Sequence, residues 1–283
     1  MATPLMGTEH HIYRKDGMVY LYAVGGGEPV LFIHGVRGSG WTWRESMDTL
    51  SRHFACYIVD MPGYDRSDIP PKQYSMDDFA DAMLDVIDAS GLERVNVVGE
   101  HTGAILGVLL AGKYPQRVKK LVLDGLPYWN LEQGKKIWER FFLPRYTDTT
   151  SSHIPVYPLI PWEEARAMGS GTSLTVAGRP LHEAPEADRE IWEKQEEIHR
   201  RSRLWERYTH ESTTKCDMVE AGSKVNCPTL LLYGDRDPVR PSAEKAKDGI
   251  KGSIFKEIAN SPGYVHAQQP EEFAKQVQAF LLD

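Results

Sequence analysis

The sequence is poor in cysteine and has no long apolar run. Its three cysteines, Cys56, Cys216 and Cys227, form no C-x-x-C pair, which argues against a disulfide framework or a zinc site and favours reduced, buried thiols. No apolar run approaches the roughly 20 residues of a membrane-spanning helix. The N-terminal segment also lacks the basic start and apolar core of a signal peptide. These absences predict a cytoplasmic protein that does not enter a membrane.

Excess positive charge is missing as well. The formal net charge is -7 and the basic residues are scattered, so we expect no nucleic-acid partner and no anionic membrane surface. Gly25–Gly27 precedes a predicted strand instead of following one, so it is not a dinucleotide-binding turn. Four histidines show no ligand spacing with carboxylates, which predicts no metal: His153, His182, His199 and His210. We therefore expect a small-molecule partner and no cofactor, in a protein that is a monomer or a homodimer.

Short apolar runs alternate with helical segments along most of the chain. A predicted hairpin comes first, and "PVLFIHG", "ACYIVDMPG", "RVNVVG" and "VKKLVLDG" then read as buried strands separated by helices. One of these helices, "SMDDFADAMLDVIDASGL", starts with a capping box of Ser75 and Asp78. The alternation predicts an α/β fold, with a doubly wound, mostly parallel sheet of eight strands.

The alternation stops after residue 127 and resumes near residue 223. Between them the sequence has helical stretches joined by proline-rich connections and no convincing strand. The predicted core therefore comprises residues 1–127 and 223–283, and residues 128–222 form an inserted helical lid.

Five motifs stand in a fixed order at predicted strand ends: "FIHGVRGSGWTW", "VDMPGYDRSD", "VVGEHTGA", "LVLDGLP" and "LLYGDRDPVRP". Together they resemble the α/β-hydrolase superfamily, especially its lidded branch of epoxide hydrolases, haloalkane dehalogenases, C–C bond hydrolases and lactonases. The resemblance implies a nucleophile elbow at Gly99–Gly103, and an oxyanion hole formed by the backbone N–H groups of Val36 and Thr102. It places His101 where the superfamily usually has serine.

The resemblance leaves the partners of His101 open. The site acid is either Asp124, after the sixth strand, or Asp237, after the seventh. Anchoring the last loop on "PEEF" puts the catalytic-histidine position on Gly263, whereas a three-residue shift puts His266 there. Because an imidazole at a helix N-terminus is kept neutral by the helix dipole, we expect His101 itself to act as a general base near pH 7.

A positioned base suits substrates that react easily. The sequence thus predicts hydrolysis of an activated ester, lactone or C–C bond in an apolar or aromatic carbonyl compound. Two alternatives stay open, a cofactor-free lyase or decarboxylase and a non-catalytic binding protein on the same fold. The predicted pocket residues are Trp41, Tyr128 and Trp129, and two further candidates for a substrate carboxylate are Arg37 and Arg66.

Overall fold

The computed structural model describes residues 7–36, 38–144, 175–176, 179–180, 206–261 and 263–283. Arg37 and most of the predicted lid, with His153, His182 and His199, therefore lie outside the described residues. The domain boundaries at residues 127 and 223 stay a prediction. No helix in the described ranges is long and apolar enough to cross a membrane.

An eight-stranded sheet organises the chain. The strands, in chain order, are β1 (Thr8–Arg14), β2 (Gly17–Gly25), β3 (Glu28–Ile33), β4 (Phe54–Val59), β5 (Val95–Glu100), β6 (Val118–Asp124), the short pair β7 (Thr175–Val176) and β8 (Arg179–Pro180), β9 (Thr229–Gly234) and β10 (Ile254–Ile258). In the large sheet the order is β1-β2-β4-β3-β5-β6-β9-β10. Strands β1 and β2 form an antiparallel hairpin at one edge, and all pairs from β4 to β10 are parallel. The predicted fold class is confirmed.

Helices cover both faces of this sheet. They include α1 (Arg44–Leu50), α2 (Met76–Ala89), α3 (Thr102–Lys113), α4 (Leu131–Ile137), α5 (Met218–Ser223), α6 (Ala243–Gly249), α7 (Val265–Gln268) and α8 (Pro270–Leu282). Ser75 and Asp78 form the predicted capping box at the start of α2. The short helix α7 was not expected, because its residues read as loop in the sequence.

The core is split by the sheet into two layers. Alternate residues of each strand enter opposite layers, as the two-residue period of a strand requires. Leu31 and Val97 pack on the side of α2 and α3, whereas Phe32 and Val98 pack on the side of α1 and α8. Every residue of β5 is buried, which explains why its sequence is apolar apart from Asn96 and the final Glu100.

The predicted lid contains one feature that the sequence did not indicate. The expectation of no strand between residues 128 and 222 is wrong, because β7 and β8 pair there as a short antiparallel ladder. Only two residues contribute from each strand, too few for a period-two pattern to be recognised in the sequence. The other described helical parts are α4, capped by Asn130 and Gln133, a π-helical turn at Trp138–Phe142, helical residues 206–214 and most of α5.

Candidate active site

The elbow, residues Gly99–Gly103, turns sharply between β5 and α3. His101 has φ 44° and ψ -100° at this turn, a conformation that L-residues rarely adopt. A Cβ on Gly99 would overlap the carbonyl oxygen of Gly103, and a Cβ on Gly103 would overlap that of Ile33. Both glycines are therefore required by close backbone approach, and the strained turn exposes the central side chain at the carboxyl edge of the sheet.

The imidazole of His101 is held by Asp237, in the loop after β9. His101 Nε2 lies 3.1 Å from Asp237 Oδ2, while Asp237 Oδ1 accepts a hydrogen bond of 2.8 Å from the backbone N–H of Val239. Gly125 lies beneath this pair with φ +66°, and a Cβ there would overlap the imidazole. Of the two predicted acids, Asp237 is the one bonded to His101.

A second carboxylate faces the other ring nitrogen. His101 Nδ1 lies 3.5 Å from Glu100 Oε1, and Glu100 Oε2 accepts a hydrogen bond of 2.6 Å from the Gly35 N–H. Burial lowers the pKa of His101, but the negative charges of Asp237 and then Glu100 outweigh it and raise the pKa to about 9. The expected neutral imidazole at pH 7 is therefore wrong, because the charges of the two carboxylates outweigh the burial that favours the neutral ring.

Asp124 serves a different histidine. His266 Nδ1 lies 3.0 Å from Asp124 Oδ2, and the His266 backbone N–H donates to the same oxygen over 3.3 Å. His266 is only 1% exposed and packs on the ring of Trp43, with 4.4 Å between ring centroids. The fold thus places the two histidines on two separate carboxylates, and His266 is buried in its own pair.

Position 263 faces the same carboxylate as His101. A Cβ on Gly263 would lie 3.6 Å from Cγ of Asp237. The position to which the resemblance assigns the catalytic histidine thus borders Asp237 but carries no side chain. The next residue, Tyr264, places its ring 5.3 Å from the imidazole of His101, centroid to centroid.

The loop after β3 carries one of the two predicted oxyanion residues. Val36 is half-buried in that loop, and Thr102 is the first residue of α3, where a backbone N–H has no acceptor within the helix. His34 fixes the loop, since its Nδ1 lies 2.7 Å from Gly35 O and its Nε2 accepts from the N–H of Met61. Burial lowers the pKa of His34 to about 4, so this imidazole stays neutral. The oxyanion role of Val36 and Thr102 stays a prediction.

The predicted pocket aromatics occupy different environments. Trp41 is half-buried, with the guanidinium of Arg44 3.7 Å from its ring centroid. Tyr128 is 4% exposed and its hydroxyl is closely approached by Gly222 and Gly249, so it belongs to the core and not to an open pocket wall. The sequence alone did not distinguish the half-buried position of Trp41 from the buried position of Tyr128.

Trp129 and Arg66 are both engaged in contacts within the protein. The Nε1 of Trp129 donates a hydrogen bond of 3.2 Å to the carbonyl of Thr213, which joins the segment before α4 to helical residues 206–214. Arg66 lies over the ring of Tyr20 and donates from Nε to buried Asp60 over 2.9 Å. Its guanidinium charge is therefore already paired with Asp60.

The three cysteine thiols form no disulfide bond with one another. Cys56, Cys216 and Cys227 are free, and burial raises the pKa of Cys56 and Cys216 to about 12. These thiols are therefore poor nucleophiles at neutral pH. In the parts of the chain that the structure describes, no group of three or more His, Cys, Asp or Glu residues could hold a metal ion.

Sequence reasoning missed two residues that shape the site, Glu100 and Gly125. Glu100 carries an informative signal, because an acidic residue at the end of an apolar strand is expensive to bury without a purpose. Gly125 directly follows Asp124, and only the structure shows that its missing Cβ leaves room for the imidazole of His101.

Comparisons with known proteins agree with this architecture. Residues 28–261 match the family model described as alpha/beta hydrolase fold. Epoxide hydrolase 1 of Caenorhabditis elegans is 22% identical over 89% of this chain and 64% of its own length. The 2-hydroxy-6-oxo-2,4-heptadienoate hydrolase of Pseudomonas putida is 36% identical over 37% of this chain and 40% of its own. The chain thus spans less than two thirds of these curated relatives.

A solved structure extends the likeness over almost the whole chain. The enol-lactonase of Burkholderia xenovorans has a TM-score of 0.70 and 16% sequence identity, and the match covers 94% of this chain and 97% of that protein. At this level of identity the likeness concerns the fold, and the chemistry has to be argued from the residues of the site.

Proposed function

The chain belongs to the α/β-hydrolase fold family, and from that premise we propose that it is a hydrolase in which His101 acts as the general base. Its substrate is an activated ester, a lactone or a C–C bond beside a carbonyl group, in an apolar or aromatic compound. Asp237 orients the imidazole, and the backbone N–H groups of Val36 and Thr102 stabilise the oxyanion.

The contact between His101 and Asp237 carries this proposal. A histidine without a function at the elbow would not require a carboxylate partner. Nε2 of His101 nevertheless lies 3.1 Å from the side chain of Asp237, 136 residues later in the chain. The residue is also held at φ 44°, a backbone strain that persists at functional turns. The imidazole side chain keeps 21% of its surface exposed, so it is not sealed in the core.

The proposed reaction begins with the neutral form of His101. Its Nε2–H donates to Asp237, which leaves the Nδ1 lone pair as the base. As a water oxygen bonds to the substrate carbonyl carbon, Nδ1 takes the water proton and the carbonyl electron pair moves to oxygen. The tetrahedral intermediate then expels its leaving group, which receives the proton from Nδ1. No acyl-enzyme forms, because no side chain attacks the carbon.

The expected rate limits the substrate class. Positioned general-base assistance contributes about 10²- to 10⁴-fold, and backbone N–H groups at the developing oxyanion add a comparable factor. Such factors suit an activated acyl group better than an amide. The similar proteins named epoxide hydrolase, 2-hydroxy-6-oxo-2,4-heptadienoate hydrolase and enol-lactonase support a carbonyl or strained-ring substrate without selecting one of them.

A panel of nitrophenyl esters, lactones and vinylogous 1,5-diketones, run in ¹⁸O-labelled water, tests the proposal. We expect turnover of at least one class, with label in the carboxylate product and a loss of at least about 10²-fold in His101→Ala. His10→Ala, a change at an exposed residue of β1, is the matched control and should keep wild-type rates. Cleavage without label would instead indicate lyase chemistry. Binding of panel compounds without turnover would favour a binding protein.

A further inference from the structure

We propose that Glu100 is a positioning residue for His101, so that a separate carboxylate faces each nitrogen of the imidazole. Asp237 holds Nε2, and Glu100 faces Nδ1. This inference deepens the proposed function and rests on the base role of His101.

Glu100 is held rigidly in place. It is the last residue of β5 and is 3% exposed. Its Oε2 accepts a hydrogen bond of 2.6 Å from the N–H of Gly35, and a Cβ on Gly35 would overlap this oxygen. One carboxylate oxygen is thus fixed to the loop after β3, which sets the direction of the other.

The other oxygen points to the imidazole. Glu100 Oε1 is buried and, among the described residues, has no hydrogen-bond partner, and it lies 3.5 Å from His101 Nδ1. A buried carboxylate oxygen without a donor costs free energy. A proton on Nδ1 would give this oxygen a donor with only a small rotation of the imidazole. The pair is therefore arranged to favour the protonated ring.

Other charged groups act in the same region. The groups facing His101 are Glu100 from β5, Asp124 from β6, Asp237 from the loop after β9, and the ring of Tyr264 from the loop before α7. Glu100 is in turn near His266 and Asp124, and burial raises its pKa while the two histidines oppose that effect. Asp237, Glu100 and Asp124 each raise the pKa of His101, so each carboxylate stabilises the protonated imidazole.

The consequence concerns the proton-transfer step. When Nδ1 takes the proton of the attacking water, the ring becomes a cation between Asp237 and Glu100. In the neutral, reactive form of the ring this charge appears only as the proton is transferred, so Glu100 accelerates the reaction above the pKa of His101, whereas below that pKa it keeps the ring protonated and inactive. In this scheme Glu100 faces the reacting nitrogen Nδ1 but takes no proton itself, so it acts through His101.

Glu100→Gln removes the charge while keeping the shape and an acceptor for Gly35. We expect NMR titration of His101 to show a pKa at least about one unit lower than in the wild type. The inflection of the kcat profile should move by the same amount, with KM changed less than about twofold. Glu28→Gln is the matched control, because Glu28 lies at the amino end of β3, away from the carboxyl ends of the strands where His101 lies, and pairs with Lys119. It should leave the His101 pKa unchanged.

An unchanged His101 pKa in Glu100→Gln would overturn the inference, whatever the activity. A lowered pKa in a protein that turns over no substrate would support the inference and leave only the proposed function refuted. If Glu100→Gln does not fold, the carboxyl ¹³C signal of Glu100 can be followed in the wild type. That signal should shift at the midpoint of His101, and a Glu100 signal indifferent to this titration would contradict the pairing.

Discussion

The Nε2 atom of His101 lies 3.1 Å from Oδ2 of Asp237, across the end of β6. The contact joins the elbow after β5 to the loop after β9. Gly125 follows the strand between them, β6, and has no side chain to separate the two groups. The pair thus depends on the order of the strands as much as on the two residues themselves.

Gly125→Ala should separate this pair. The new Cβ would overlap the imidazole and lie 2.6 Å from Asp237 Oδ2, so His101 must move away. We expect kcat/KM to fall by at least about 10²-fold, since displacement of a positioned base by an ångström has that scale of effect. Gly252→Ala is the control in steady-state assays, because Gly252 also has a positive φ, of +75°, but has no atom within 4 Å of its added Cβ. Equal activity in the two variants would contradict the proposed role of the pair.

Gly103→Ala should destabilise the fold itself. Its Cβ would overlap the backbone carbonyl of Ile33, and a backbone atom of a central strand cannot move aside cheaply. We expect the free energy of unfolding to drop by about 2 kcal/mol or more in urea titrations, within the range of overpacked cores. Gly26→Ala, which meets nothing within 4 Å, should cost almost nothing. A Gly103→Ala protein as stable as Gly26→Ala would show that the turn is not tightly packed.

The pH dependence of stability should report on His101. Its pKa is raised from 6.5 to about 9 in the folded state, so the folded state binds the proton more tightly. The resulting stabilisation is complete below about pH 6.5 and is lost as the pH rises through about 9. Between pH 6 and pH 10, the free energy of unfolding measured in urea should therefore fall by about 3 kcal/mol more in the wild type than in His101→Gln. Parallel losses in both proteins would contradict the elevated pKa.

Much of the fold follows from the sequence because burial leaves a pattern. The apolar runs at β3, β5 and β9 and the capping box of Ser75 mark elements whose packing constrains each residue. The short ladder of β7 with β8 and the four-residue helix α7 were missed, because elements of two to four residues carry no periodicity.

The site was predictable only in part. The order of the motifs predicted that His101, Asp124 and Asp237 lie at one edge of the sheet. Which carboxylate contacts which histidine depends on side-chain positions that differ by only a few ångströms. Asp124 turns to His266 because α7 carries that residue onto Trp43. The raised pKa of His101 depends on Asp237 and then on Glu100, whose direction is set by a single backbone N–H. The sequence signals that Glu100 is unusual, but it does not show which group either side chain contacts.

His101→Ser should not create a serine hydrolase. A serine at the elbow would have no accessible imidazole partner, since Gly263 has no side chain and His266 is only 1% exposed and packs on Trp43. We expect no labelling of either the wild type or His101→Ser by a fluorophosphonate probe under conditions that label an unrelated serine hydrolase completely. Labelling of the variant would show that another base reaches the elbow.

Asp237→Asn compared with Asp124→Asn separates the two carboxylate–histidine pairs by kinetics. The Asp237 change removes the bonded charge from His101, whereas Asp124 contributes only through space. We expect Asp237→Asn to lower the maximal rate by about 10-fold or more, and Asp124→Asn to leave it within a few-fold when the protein remains folded. Equal losses in the two folded variants would argue against a special role for Asp237.

The pH–rate profile of hydrolysis, measured side by side in the wild type and Asp237→Asn, tests most directly that His101 held by Asp237 is the base. A base works in its deprotonated form, so the wild-type rate should rise from pH 7 to a plateau above about pH 9. In Asp237→Asn the inflection should move at least about one unit lower and the plateau should fall. A wild-type rate that decreases above pH 7, or an inflection that stays in place without Asp237, would contradict it.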